Sequence, residues 1–236
     1  MRITLIAEGH TPAQRRQERW GLSFLIGDDI LFDAFGRADV FMENIHTYSI
    51  DLTRLRHIVI SHDDWDHIAG LWDVLKINPD VNVYICKHAG ERLAAKIEAS
   101  GARLIRVDGP AMIKKNVYST GELSANTDRG VIREQSLVLI SSDGSTVVTG
   151  CAHPGIDIIT EHAVALGHGT IRTVIGGFHL KDNPRQRIES VIGLLRDRGV
   201  EKLFPLHCTG ETAVHALQKT YGNDCHLLSE GDSIEI

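Results

Sequence analysis

Ser61-His62-Asp63-Asp64-Trp65-Asp66-His67-Ile68-Ala69-Gly70 concentrates two imidazoles and three carboxylates in ten residues. It follows the apolar run His57–Ile60, which reads as a strand. It leads into Trp65, Ile68, Trp72 and Leu75, whose 3-4-3 spacing marks one face of a helix. The stretch therefore occupies a strand-to-helix turn, where α/β folds commonly place their chemistry. His62, Asp64, Asp66 and His67 stand at i, i+2, i+4 and i+5, a spacing that in a tight turn aims side chains at two neighbouring points. Imidazole with carboxylate suits Zn²⁺, Mn²⁺ or Fe²⁺. The plainer alternative is that Asp63 or Asp64 caps the helix and the other charges are solvated.

Three later segments repeat the arrangement. Thr149-Gly150-Cys151-Ala152-His153-Pro154-Gly155 places His153 between a strand and a helix. Gly176-Gly177-Phe178-His179-Leu180 places His179 after the apolar run Ile171–Ile175. Pro205-Leu206-His207-Cys208-Thr209-Gly210 places His207 after Leu203–Leu206. Four strand ends, each with a histidine in a Gly- or Pro-bearing turn, are hard to attribute to packing. If the strands share a sheet, those ends can converge on one edge.

Around these turns the pattern alternates short strands and amphipathic helices. Further strands are expected at Ile3–Ala7, Leu22–Ile26, Ile30–Asp33, Val81–Cys86, Leu104–Val107, Leu137–Ser141, Thr146–Thr149 and Cys225–Leu228. Helices are expected near Ala89–Ala99, Gly155–Leu166 and Glu211–Thr220. Another is expected from Asn183 as cap, through Pro184 and the stripe Ile188, Val191, Ile192 and Leu195, to Gly199. Asp108–Arg133 reads as loops and short strands inside a single domain spanning residues 1–236.

Composition sets the limits. The 236 residues are 42% hydrophobic and 24% charged, enough apolar material for a real core. A net charge of −6 lacks the basic field expected of a duplex binder. No apolar run approaches the ~18 residues that span a bilayer, and no signal-peptide layout opens the chain, so a cytoplasmic location is expected. The four cysteines, Cys86, Cys151, Cys208 and Cys225, form no CxxC pair and read as reduced thiols. No P-loop or GxGxxG fingerprint appears, and Ser23 and Ser61 have no triad context.

In the order of its motifs the chain resembles the metallo-β-lactamase superfamily, over nearly its whole length. The signature His-x-His-x-Asp-His stands here as His62-Asp63-Asp64-Trp65-Asp66-His67, with Asp64 in place of the second histidine. More narrowly, GLSFLIGDDILFDAFG, EQSLVLI, VVTGCAHPGI, GGFHL and PLHCTG look like the branch that includes 7,8-dihydropterin-6-methyl-4-(β-D-ribofuranosyl)-aminobenzene-5′-phosphate synthase. The resemblance implies an α/β four-layer αββα sandwich with one or two divalent metals. His62, Asp64 and His153 would form one metal site, and Asp66, His67 and His207 the other. Many members bridge the metals with an aspartate where this chain has His179; the nearest carboxylate, Asp182, lies three residues on. His179 would instead ligate one metal or donate to a substrate oxyanion. Asp64 adds a hard oxygen ligand, which favours Mn²⁺ or Fe²⁺ over Zn²⁺ at the first site or leaves that site the weaker of the two.

The expected function is a metal-dependent hydrolase, phosphodiesterase-like, acting on a phosphorylated small molecule. Metal lowers the pKa of bound water, Asp66 or Asp64 takes the proton, and His179 stabilises developing charge. One alternative, implied by the resemblance alone, is a synthase-like transferase displacing diphosphate. Another is a non-catalytic ligand-binding or sensing module with an altered metal site. Expected partners are the phosphorylated substrate, no nucleic acid and no membrane, with a homo-oligomer left open. Cys151 and Cys208 read first as small buried hydrophobes and second as auxiliary ligands. Trp65 and Trp72 read first as core, with walling of the pocket as the alternative for Trp65. Arg15, Arg16 and Arg19 read first as a solvated helix face, with binding of an anionic substrate tail as the alternative. His10 is a weak candidate for touching substrate. His46, His57, His88, His162, His168, His215 and His226 read as surface or satisfied core residues.

Overall fold

Mixed sheets, each combining antiparallel pairs with parallel strands joined by helical crossovers, make up a computed structural model that describes residues 1–128, 130–167 and 169–236. His168 lies outside the described residues. The fold resolves into two units, Met1–Asp108 with Ser229–Ile236, and Gly109–Leu228. The boundary falls at the head of the polar stretch Asp108–Arg133.

The first unit contains β1 (Arg2–Gly9), α1 (Pro12–Arg16), β2 (Gly21–Ile26), β3 (Ile30–Phe32), α2 (Ala38–Thr47), β4 (His57–Val59), α3 (Trp65–Ile68), α4 (Leu71–Ile77), β5 (Asn82–Cys86), α5 (Glu91–Ala99) and β6 (Arg103–Val107). β3, β4, β5 and β6 run parallel, while β1 and β2 pair antiparallel. Phe41 and Ile45 of α2, Leu71, Val74 and Leu75 of α4, and Leu93 and Ile97 of α5 form one core with Leu31, Ile58, Val83 and Ile85 of the sheet. Strands crossed over by helices in this way read as continuous apolar runs.

The helix expected from Trp65 through Leu75 is broken. The N–H groups of Ala69 and Gly70 donate to the carbonyls of Phe35 and Ala34 instead of continuing one helical ladder. A Cβ on Gly70 would lie 2.4 Å from the Phe41 ring and 2.7 Å from the Ala34 carbonyl, so only glycine permits the approach. The break turns Trp65 outward: it is 50% exposed and not core, which corrects the sequence reading. Trp72 packs partly buried against the core as expected.

The second unit contains β7 (Ala111–Lys114), β8 (Val117–Ser119), β9 (Leu123–Thr127), β10 (Gly130–Glu134), β11 (Leu137–Ser141), β12 (Gly144–Thr149), α6 (Ile156–Ala165), β13 (Ile171–Gly177), α7 (Arg185–Asp197), β14 (Lys202–Leu206) and α8 (Glu211–Tyr221). Its six-stranded sheet has the order β14-β13-β12-β11-β8-β7, and β9 and β10 form a separate hairpin. α6, α7 and α8 bury Ile156, Ile159, Ile188, Val191, Leu195 and Leu217 against Val147, Val174 and Leu203. The chain then returns to the first unit as β15 (Ser233–Glu235), antiparallel to β1.

Two further readings shift. Cys225–Leu228 makes only an isolated bridge from Cys225 to Leu203, because the terminal strand forms later, at β15. Pro184, not Asn183, is the cap of α7, since its carbonyl accepts from Arg187 and Ile188. Asn183 instead donates its side-chain amide to the His179 carbonyl at 3.0 Å. Among the described residues no helix is long and apolar enough to cross a membrane.

Candidate metal centre

In the first unit the register Phe32↔Val59 sets the residues that follow β3 and β4 side by side. Asp33, fully buried with φ +58, takes a left-handed turn that points its carboxylate along the next strand end. One oxygen accepts from the Ser61 amide at 2.7 Å. The other accepts from the Ser61 hydroxyl at 2.7 Å and from His67 Nδ1 at 2.6 Å. Ser61 Oγ spends its single proton on Asp33, so it accepts from His62 Nδ1 at 2.8 Å. With Nδ1 of each ring held by Ser61 or Asp33, Nε2 is the ring atom turned away from those partners, the arrangement that buried carboxylates impose on metal-ligating histidines.

Those Nε2 atoms face carboxylates. His62 Nε2 lies 3.6 Å from Asp64 Oδ2, and His67 Nε2 lies 3.5 Å from Asp66 Oδ2. The two ring centroids are 4.2 Å apart. A cation placed between each imidazole and its carboxylate would satisfy both groups. Two bonds of about 2.1 Å meeting at a tetrahedral angle would set N and O about 3.4 Å apart. The donor set of this turn therefore fits a divalent metal. His62, Asp66 and His67 are buried, whereas the Asp64 side chain is 48% exposed. The capping alternative fails: Asp64 occupies the N-cap of α3 without a side-chain cap bond, and Asp63 accepts from the Gly90 amide at 2.8 Å.

In the second unit the parallel registers Thr149↔Gly176 and Gly177↔Leu206 align the ends of β12, β13 and β14. Three of the predicted histidines follow those ends. Glu134, buried at the end of β10, accepts at one oxygen from the amides of Cys151 at 2.9 Å and Ala152 at 2.8 Å. Its other oxygen accepts from the His153 amide and from His153 Nδ1, both at 2.8 Å. Glu134 thereby holds the His153 ring through Nδ1. Its ring centroid lies 4.5 Å from that of His179. His207 is fully buried in a 3-10 turn, and Asp182 is exposed. His179 and His207 carry φ of +50 and +49.

Two thiols complete this edge. Ligand atoms of Cys151, His179 and Cys208 lie within 4.8 Å of one another, and Cys208 Sγ donates to the Cys151 carbonyl at 3.3 Å. Burial pushes the Cys208 thiol up. Its hydrogen bonds with Cys151 and His179 and its electrostatic interaction with the neighbouring imidazoles of His207 and His179 outweigh that and hold it well below the ordinary thiol range.

Sequence reasoning missed Asp33 and Glu134. Each stands 17 to 34 residues from the groups it orients, too far for any spacing rule. The available signal was an acid at the end of an apolar strand, in LFDAFG, and an acid immediately before one, in EQSLVLI. The Glu8 carboxylate accepts from His10 Nδ1 at 2.6 Å, His162 contacts the Thr120 carbonyl at 3.0 Å, and His226 stacks on Phe204. Arg15 sits over the Trp20 ring and Arg19 pairs with Glu230, so the basic cluster is only partly a solvated face.

No protein-family model matches the chain. It is 28% identical to the 7,8-dihydropterin-6-methyl-4-(β-D-ribofuranosyl)-aminobenzene-5′-phosphate synthase of Methanocaldococcus jannaschii, over 91% of this chain and 89% of that one. Among solved structures, a metal-dependent hydrolase of the β-lactamase superfamily superposes with a TM-score of 0.79 at 26% identity, covering 100% of this chain and 99% of that one. A metallo-β-lactamase fold protein from Bacillus subtilis gives 0.71 at 14% identity, covering 99% of each. The chain has the metallo-β-lactamase fold.

Proposed function

We propose that the chain is a metal-dependent enzyme acting on a phosphorylated small molecule, and that its reaction is a synthase-type transfer. The similarity to the methanogen synthase over nine-tenths of the chain carries this reading. It moves transfer ahead of hydrolysis, which the sequence alone ranked first. We assign His62, Asp64 and His153 to one divalent metal, and Asp66, His67 and His207 to a second. When bound, the metals would supply Lewis-acid polarisation of phosphate oxygens.

The chain's own residues then have separable tasks. Asp33 and Glu134 hold His67 and His153 with Nε2 presented, and Ser61 relays the same constraint to His62. In the transfer, an aminobenzene nitrogen forms a bond to the methyl carbon of a dihydropterin as the bond from that carbon to diphosphate breaks. The nitrogen's proton passes to a carboxylate. Asp64, half-exposed, suits this role better than the buried Asp66. His179, exposed at its strand end, would donate to the departing oxyanion or ligate a metal. Substrate is the one partner this reading requires, and the cytoplasm is its expected location.

Hydrolysis remains the second reading, favoured by the 26% identity with a metal-dependent hydrolase. The test supplies a dihydropterin diphosphate with an aminobenzene ribofuranosyl phosphate in one arm, and bis-p-nitrophenyl phosphate in the other, with Zn²⁺, Mn²⁺ or Fe²⁺. Coupled product lost in His67→Ala supports transfer. Nitrophenol release without coupling supports hydrolysis. Tight ligand retention without turnover in either arm would leave a binding module and overturn both.

A further inference from the structure

We propose that Cys151, His179 and Cys208 form a thiolate-rich metal site that takes zinc. The proposal goes beyond the assigned function, which uses no thiol, and it commits His179 to ligating a metal. One ligand arises just past the end of each of three adjacent parallel strands, β12, β13 and β14. Their ligand atoms already lie within 4.8 Å of one another. Zn–S bonds of about 2.3 Å at a tetrahedral angle set two sulfurs about 3.8 Å apart, so closing on an ion asks roughly one ångström of movement.

The backbone is shaped for this arrangement. A Cβ on Gly177 would lie 2.6 Å from Cys208 Sγ and 2.5 Å from the Gly150 carbonyl, so glycine is what lets the thiol seat against the strand. Ala152 and His179 hold left-handed conformations, at φ +61 and +50, that L residues with side chains adopt at a cost. The Asn183 amide fixes the His179 turn through its carbonyl. Such strain persists where surrounding structure enforces it, and here it sits at two adjacent strand ends that bear the ligands.

Donor chemistry selects the ion. Two thiols with one imidazole suit zinc and disfavour Mn²⁺ and Mg²⁺, which prefer oxygen. Binding forms two S–Zn bonds with both sulfurs as thiolates, and any remaining thiol proton is released to water. The three protein ligands leave a fourth position for water or substrate. Of the other two cysteines, Cys225 lies on the isolated bridge to Leu203, where burial pushes its thiol up to about 11.

The test uses the full-length chain, reduced and stripped of metal, then loaded with Co²⁺ or Zn²⁺ alone. The expected result is an intense near-ultraviolet sulfur-to-cobalt absorption that Cys151→Ser or Cys208→Ser abolishes and Cys225→Ser leaves intact. Zinc-edge X-ray absorption on the unmutated chain should show a sulfur shell, which keeps the proposal testable if the serine variants do not fold. A zinc environment of nitrogen and oxygen only, or a cobalt band indifferent to both substitutions, overturns it. Either of those results in a chain that still turns over substrate would leave the His and Asp assignment standing.

Discussion

Asp33 at the end of β3 and Glu134 at the end of β10 are both buried carboxylates that accept a histidine Nδ1 proton, yet they secure their surroundings differently. Asp33 holds mainly side chains: the Ser61 hydroxyl, the His67 ring and, through Ser61, the His62 ring. Glu134 holds mainly backbone, three successive amides of the turn Cys151–His153, with one ring added. In the first unit, ring orientation therefore rests on a side-chain relay within an otherwise hydrogen-bonded loop. In the second, it rests on the conformation of the loop itself. Removing the carboxylate should misdirect ligands in one case and undo a turn in the other.

Glu134→Ala is the sharpest way to break this contrast, because it strands the buried amides of Cys151 and Ala152, the partly buried amide of His153 and an imidazole. It should cost about 3–5 kcal/mol, read as a lower urea midpoint at unchanged slope. Asp33→Asn keeps volume and part of the bonding, so it should cost about 1–3 kcal/mol. Its main effect should be metal affinity lower by about 10–100-fold, measured by competition with a chelator dye. Equal stability losses in the two variants would erase the distinction between the units.

Gly177→Ala should destabilise by about 1–3 kcal/mol through overpacking against Cys208 and the Gly150 carbonyl. Metal occupancy sharpens the comparison inside the first unit. Asp66→Ala should lower occupancy more than Asp64→Ala, since Asp66 is 8% and Asp64 48% exposed. Elemental analysis of chains purified without chelator reads both, and Asp64→His should raise occupancy at the His62 side. The smallest effect is expected at Trp65. Half exposed and outside the core, Trp65→Ala should change stability by no more than about 0.5 kcal/mol.

The legible part of the site was local. His62, Asp64, Asp66 and His67 fall within six residues, and the turns bearing His153, His179 and His207 each carried their own Gly or Pro punctuation. Strand and helix periodicity then placed every one of these turns at a strand end, where the structure has them. Trp65 failed because its helical spacing was real but short-lived. The break at Ala69–Gly70 depends on carbonyls of residues 34 and 35, which no pattern around Trp65 reports.

The cysteines changed meaning for the same kind of reason. Cys151 and Cys208 are 57 positions apart, and only the parallel registers of β12, β13 and β14 bring them beside His179. The sequence by itself determined the element types, the strand-end turns and the residue chemistry offered there, because periodicity and turn composition act over a few residues. Which carboxylate fixes which imidazole, and which thiols sit together, was decided by tertiary structure alone. Hydrogen bonds and ligand contacts between distant strand ends depend on sheet order and register, and those emerge only when the chain is folded.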